Sequence, residues 1–184
     1  IGFVWDPIDN VSLTVDRFDI KRRDEISSID VDYLLAHESE YPGFVKRDAS
    51  GVIKQLNTLY TNLGSTHVRG IDIDFKVRQN LNEAGKLTYN ATYNRLPTYL
   101  VASVKGAPED NWAGTWTQPV ERFRLGATWE SGPWVTGLTM NYTGKFSRAY
   151  TLTNTSCPYT NTATPSYCSV GSWSTGDLYV GYKG

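Results

Sequence analysis

The sequence predicts an all-β chain, an antiparallel up-and-down meander of about seven strands. Three observations point there. Apolar and polar residues alternate over long stretches, giving each strand one greasy and one wet face. The composition holds 12 Tyr, 6 Trp and 16 Gly against a single Met, which favours rings on pleated faces and glycines at turns and bulges. Short turns and long connections also follow one another in regular alternation along the chain.

Strands are predicted at 1–5, 11–26, 54–80, 86–97, 120–130, 133–147 and 172–183. The clearest alternation sets Ile71, Ile73, Phe75 and Val77 against Asp72, Asp74, Lys76 and Arg78. The stretches 87–94 and 122–129 repeat it, and Trp134, Thr136, Leu138, Met140 and Tyr142 continue it. In the second strand the apolar set Val11, Leu13 and Val15 changes phase to Phe18 and Ile20, which predicts a β-bulge near Asp16 and Arg17. The turns at 6–10, 82–85 and 130–133 are short and carry Asn, Asp, Gly or Pro. The connections at about 27–53, 97–119 and 148–171 are long.

Charge and hydropathy narrow the setting. With 18 basic and 19 acidic side chains the net charge is −1, and the isoelectric point is near 6.1. That balance argues against nucleic acid as a partner, which needs a basic surface. No stretch approaches the run of about 18 apolar residues that a membrane helix requires. A spanning strand needs only about 10 residues, half of them polar, so a mean hydropathy of −0.40 is compatible with a transmembrane barrel.

Strict alternation of short and long connections is the pattern of an outer-membrane barrel, with short periplasmic turns and long extracellular loops. Trp129 and Trp134 flank one short turn and are expected to point outward as interfacial girdle residues, with Tyr142 and Phe146 towards the other end. An odd strand count does not close a bacterial barrel of the usual kind, and open edges cannot face lipid. The strands are therefore expected to form a sector of a large transmembrane β-barrel. A soluble β-sandwich is the alternative.

At this point a resemblance enters. The stretch Tyr60-Thr61-Asn62-Leu63-Gly64-Ser65-Thr66-His67-Val68-Arg69-Gly70-Ile71-Asp72-Ile73-Asp74-Phe75 resembles the barrel signature of TonB-dependent outer-membrane receptors, in which an Asn-x-Gly stretch precedes a Gly-Ile/Leu-Asp/Glu strand. Residues 6–20, followed by Asp24-Glu25-Ile26, resemble the family's turn and following strand, and residues 172–182 one of its last strands. The likeness spans nearly the whole chain. It implies a partial barrel over residues 1–184, with the plug domain and final strands lying elsewhere. Ile1 opens the sequence with no leader before it, and Gly184 closes it within a predicted strand, which agrees with an excerpt. In the intact family a barrel of about 22 strands surrounds a plug. The implied activity is import of a scarce nutrient (siderophore, cobalamin or oligosaccharide) across the bacterial outer membrane with TonB-coupled energy. The implied partners are outer-membrane lipid, the plug domain and remaining strands, TonB, and a small nutrient ligand.

Candidate residues follow from their chemistry. Cys157 and Cys168 are the two cysteines, in a Thr/Ser/Asn-rich connection. A disulfide between them would close a short loop, contribute roughly 2–3 kcal/mol, and fit an oxidising compartment. Glu109, Asp110, Trp112 and Trp116 share the connection 100–119, where indole rings beside carboxylates suit stacking on a ligand or packing of the loop onto the rim. Arg122 and Arg124 are predicted to face the lumen, where a plug carboxylate, a barrel-wall partner or an anionic ligand would meet them. Asp72 and Asp74 lie two residues apart on one face, but Lys76 and Arg78 continue that row, which reads as a solvated wall. His37, at the end of a predicted short helix over 29–37, has neither a nucleophile nor a ligand partner in sequence. No catalytic residue, metal ligand set or cofactor motif emerges.

The sequence thus reads as part of a non-enzymatic outer-membrane transporter. Two rivals stand beside it: a secreted carbohydrate-binding β-sandwich module using Trp112 and Trp116, and a passive porin with the same architecture.

Overall fold

The computed structural model describes residues 1–58, 60–148 and 168–184. Strands β1 (Gly2–Ile8) and β2 (Val11–Ser27) form the first hairpin. Helix α1 (Val31–Ala36), a 3₁₀ turn (Glu38–Glu40) and the small hairpin β3 (Val45–Arg47) and β4 (Ile53–Leu56) fill the first long connection. Strand β5 (Thr61–Asn80) turns through a 3₁₀ segment (Asn82–Ala84) into β6 (Lys86–Ala102), followed by the two-residue β7 (Asp110–Asn111). Strands β8 (Glu121–Ser131) and β9 (Trp134–Thr143), the short β10 (Phe146–Ser147) and β11 (Ser169–Val170), and β12 (Trp173–Tyr182) complete the order.

One antiparallel meander dominates, in the order β1-β2-β5-β6-β8-β9-β12, with β7 added to the upper end of β6. Its ladder places opposed residues on a common face, so side chains align in rows across the sheet. On one face Trp5, Leu13, Phe75, Ala91, Leu125 and Met140 form a row. Below it run Val11, Val77, Tyr89, Ala127, Leu138 and Leu178; above it run Phe3, Val15, Ile73, Tyr93, Phe123 and Tyr142. Nothing covers this face among the described residues. Leu138 is 55% exposed and Leu178 72%. In water such a continuous apolar sheet would be an aggregation surface.

The aromatic residues border the band. At the short-turn end, Trp134 meets Tyr182 edge to face at 4.9 Å, and the Trp129 indole donates to the Ala84 carbonyl at 2.8 Å. Tyr93 and Tyr142 mark the opposite border on either side of Phe123. From Trp134 to Tyr142 the strand climbs about 27 Å, or about 21 Å vertically at a tilt near 40°. With its flanking rings this matches the roughly 25 Å apolar band of outer-membrane barrels. Strand β5, with 20 residues, is far longer, so the upper sheet rises beyond the band.

The principal packed core lies at that upper end. Ile29, Leu34 and Val104 are buried against one another, with Tyr33, Tyr41, Phe44, Val45, Leu56 and Ala107 around them. The connections after β2 and after β6 thereby fold onto each other, and the Ser27 hydroxyl donates to the Ser103 carbonyl at 2.6 Å. Asp30 caps α1 by accepting from the Tyr33 amide at 3.0 Å, satisfying a donor that the helix leaves free. Arg47 holds Glu38 at 2.9 Å, and the Asp48 carboxylate accepts from the amides of Ser50 at 2.9 Å and Val52 at 3.0 Å.

The strand order, the seven-stranded meander and the alternation of short and long connections agree with the sequence. Three details differ. Pairing of β2 with β5 runs unbroken from Val11 to Arg22, so there is no bulge at Asp16 and Arg17; the irregularity lies between Arg22 and Glu25, where Asp24 takes φ 54°. Phe18 and Ile20 instead stay on the polar face. Phe18 is accommodated there by Gly70, where an added Cβ would come within 2.3 Å of the Phe18 ring. The predicted strand 54–80 is divided into β4 and β5, and β4 leaves the main sheet to pair with β3. The short helix predicted at 29–37 forms over Val31–Ala36, and His37 caps it, its ring stacked on Tyr33 at 4.1 Å.

Three outcomes follow. Leu138→Arg, in the middle of the apolar band, destabilises the barrel by about 2–4 kcal/mol, read as a lower midpoint of urea unfolding in lipid vesicles, whereas Thr139→Arg on the opposite face changes it little. Leu34→Ala, which empties a wholly buried site, costs about 2–5 kcal/mol of local stability and speeds amide exchange in residues 29–56 while the apolar-band strands stay protected. The third concerns acid. Hydrogen bonding from Arg47 holds the Glu38 carboxyl below its ordinary value, and the Val52 amide with Lys54 does so for Asp48. Both depressed values mean that the stabilisation is present above the ordinary carboxylate range and is lost as pH falls through the folded values. Exchange in 38–54, corrected for intrinsic rates, accelerates only on acidification below that range.

Candidate functional site

The face opposite the apolar band is polar in the rows level with that band, with Phe18 and Ile20 above them. Asp16, Asp72, Asn94, Arg122 and Thr143 align in one row, and Thr14, Asp74, Thr92, Arg124, Asn141 and Thr175 in the next. Ser12, Lys76, Asn90, Thr139 and Asp177 follow below. The Asn94 amide donates to the Asp72 carboxylate, and the Asn141 amide donates to Asp177 at 3.3 Å. Strand periodicity alone sets this segregation, because every second residue must point to the same side.

Arg122 and Arg124 project from this wall as expected and are exposed. Their cross-strand neighbours are Asn94 and Thr143 for Arg122, and Thr92 and Asn141 for Arg124. No ion pair ties either one to another described residue. Two uncompensated guanidinium groups on a water-facing wall present planar donor forks to an anion. Asp72, Asp74, Lys76 and Arg78 follow one another on this wall, two acidic side chains and then two basic ones.

The upper connection divides the other candidates. Asp110 pairs with Val101 in the short β7 ladder. Trp112 donates its amide to the Tyr99 carbonyl at 2.8 Å, and its ring lies 6.4 Å from that of Tyr99. Trp112 is therefore a packing residue of the rim, braced further by Asn111, whose side chain accepts from the amides of Tyr99 at 3.3 Å and Ala113 at 3.1 Å. Thr115 is fully buried, and its hydroxyl meets the Trp112 carbonyl at 2.7 Å. Trp116 follows at the outside of this turn, 51% exposed. Glu109 lies at the mouth of a cavity of about 370 Å³ shared with Arg23, Asp24, Ser65 and Lys105. The four candidates thus have different surroundings: Asp110 in a strand ladder, Trp112 against Tyr99, Glu109 beside a cavity and Trp116 with its ring half exposed. Tyr99 and Asn111 escaped sequence reasoning; only their pairing across β6 and β7 shows that they hold Trp112.

Cys168 is disulfide-bonded. Cys157 lies outside the described residues, and so does the Cys157–Cys168 pairing that the sequence predicts.

A family profile described as "TonB dependent receptor-like, beta-barrel" matches residues 1–183. The chain belongs to this family. No curated protein and no solved structure matches it. TonB-dependent receptor barrels are bacterial outer-membrane proteins of transport, and they work with a plug domain, TonB and a ligand. On that basis the uncovered apolar face is the lipid-facing wall and the polar face the lumen wall. The sandwich alternative fails on the same geometry, for no second sheet packs on the apolar face among the described residues.

The ring contact of Trp112 gives a measurable outcome. Trp112→Ala loosens the rim by about 1–2 kcal/mol through the lost ring contact, visible as faster amide exchange from Tyr99 to Thr115.

Proposed function

We propose that residues 1–184 form part of the barrel wall and upper loops of a TonB-coupled importer of a bulky, scarce nutrient, a ferric siderophore, cobalamin or an oligosaccharide. In this reading the plug domain and the final strands lie elsewhere in the protein and complete the barrel. The chain's own part is to seal against lipid, to line the passage, and to offer loop contacts to the ligand. It performs no covalent chemistry.

The observation that carries the reading is the pair Arg122 and Arg124. They stand without an ion-pair partner on a polar wall whose reverse side is built for hydrocarbon. Such groups take an acidic plug surface in the resting receptor, or an anionic ligand group as it passes. The exposed ring of Trp116 and the carboxylate of Glu109 supply ligand contacts above them, with Asp110 and Trp112 holding that rim. A Cys157–Cys168 bridge closes the loop beyond β10 against the oxidising exterior.

Nutrient-limited growth of cells carrying the full-length receptor tests this. Growth on the matching nutrient is expected to require TonB. Arg122→Gln combined with Arg124→Gln is expected to lower uptake at least tenfold, equivalent to about 1.4 kcal/mol, without reducing the amount of receptor in the membrane. Uptake that continues without TonB would make the protein a passive porin and overturn the proposal.

A further inference from the structure

The most specific feature outside the lumen is a cavity of about 300 Å³ on the outward face, framed by Arg17, Arg69 and Arg95 with Asp19, Ile71 and Thr98. The register puts all three arginines on the same side as the apolar band. Arg17 opposes Ile71, which opposes Arg95, one row above Val15, Ile73 and Tyr93. One such step is about 7 Å along the strand, so the cavity sits directly above the border of the hydrocarbon zone.

A bulge builds it. Arg69 pairs with Thr98 and Ile71 with Arg95, leaving an extra residue in β6 at Leu96 and Pro97. Proline has no amide to donate to the ladder, and a bulge bends the strand and re-aims its side chains. The charge is unbalanced. Asp19 is already held by Arg69 at 2.9 Å and by His67 at 2.7 Å. Arg17 has no side-chain partner among the described residues, and Glu121 approaches Arg95 only at 3.7 Å.

We propose that this cavity binds the phosphate of an outer-leaflet lipid whose acyl chains lie along the apolar band beneath it. The planar guanidinium groups of Arg17 and Arg95 match two edges of a phosphate. Ile71, Ile73, Val15 and Tyr93 continue below as a greasy track for the chains. The opening faces the plane of the bilayer and not the lumen, so the ligand is a membrane component and not transported cargo. The continuity of cationic pocket and apolar track selects a lipid over a free anion, which would use only the upper half.

The proposal rests on the membrane placement given above, and its test separates the two. The full-length receptor is placed in nanodiscs of phosphatidylcholine containing bis-phosphorylated lipid A, and retained lipid is weighed by native mass spectrometry. The wild type is expected to retain phosphorylated lipid A in preference to its dephosphorylated form. Arg17→Gln with Arg95→Gln, which leaves the Asp19–Arg69 pair intact, is expected to weaken retention about tenfold per arginine. Arg122→Gln with Arg124→Gln, on the lumen wall, is expected to change nothing. Heat-modifiable migration of each variant confirms that it is folded.

Equal retention by the wild type and the Arg17/Arg95 variant would overturn the proposal, as would equal retention of the dephosphorylated lipid. Displacement of the lipid by inorganic phosphate at equal concentration would also overturn it, in favour of a plain anion site. In all three cases the inserted barrel would stand. Failure of the wild type to enter the nanodisc would overturn the membrane placement as well.

Discussion

The structure depends on one constraint: a strand that meets hydrocarbon must satisfy its backbone within the sheet and turn every second side chain to lipid. The ladder from β1 to β12 meets both demands. Its amides and carbonyls pair along long registers broken by a few bulges, and its rows from Trp5 to Met140 and from Val11 to Leu178 are apolar from strand to strand. A water-soluble domain resolves the same alternation by folding a second layer onto the apolar face. Here the bilayer is that second layer, which explains why so few large apolar side chains are buried.

From that constraint the remaining parts take their places. The reverse face is necessarily polar, so Arg122, Arg124, Asp72 and Lys76 come to line a passage without any dedicated motif. The strands outlast the band, so their upper ends need support of their own. That support is the small core of Ile29, Leu34 and Val104, which joins two loops into one cap. The outward face changes from apolar to charged within two rows, between Ile73 and Arg69 on β5, and this change sets the upper limit of the membrane.

Much of this was legible in the sequence because strand periodicity is local. Ile71, Ile73, Phe75 and Val77 announce their face without knowledge of any neighbour, and the turn residues announce the hairpins. What was not legible depends on other strands. The phase change at Phe18 looked like a bulge, yet the strand is regular and Gly70 on the next strand makes room for the ring. Residues 54–80 read as one strand because both parts favour extended backbone, and only tertiary pairing sends β4 to β3. Trp112 suited either a ligand or the rim in sequence, because its partner Tyr99 lies 13 positions away across a ladder. Arg17, Arg69 and Arg95 converge only once two registers and the break at Pro97 are combined.

The most direct test of the account is the side on which each residue meets lipid. Nitroxide labels at Leu125, Leu138 and Leu178, and at Thr92, Asn141 and Thr139, would be compared in the full-length receptor in bilayers for collisions with oxygen and with a water-soluble nickel chelate. The account predicts that the first three favour oxygen and the second three favour the chelate. Chelate access at all six positions, or the reverse pattern, would contradict it.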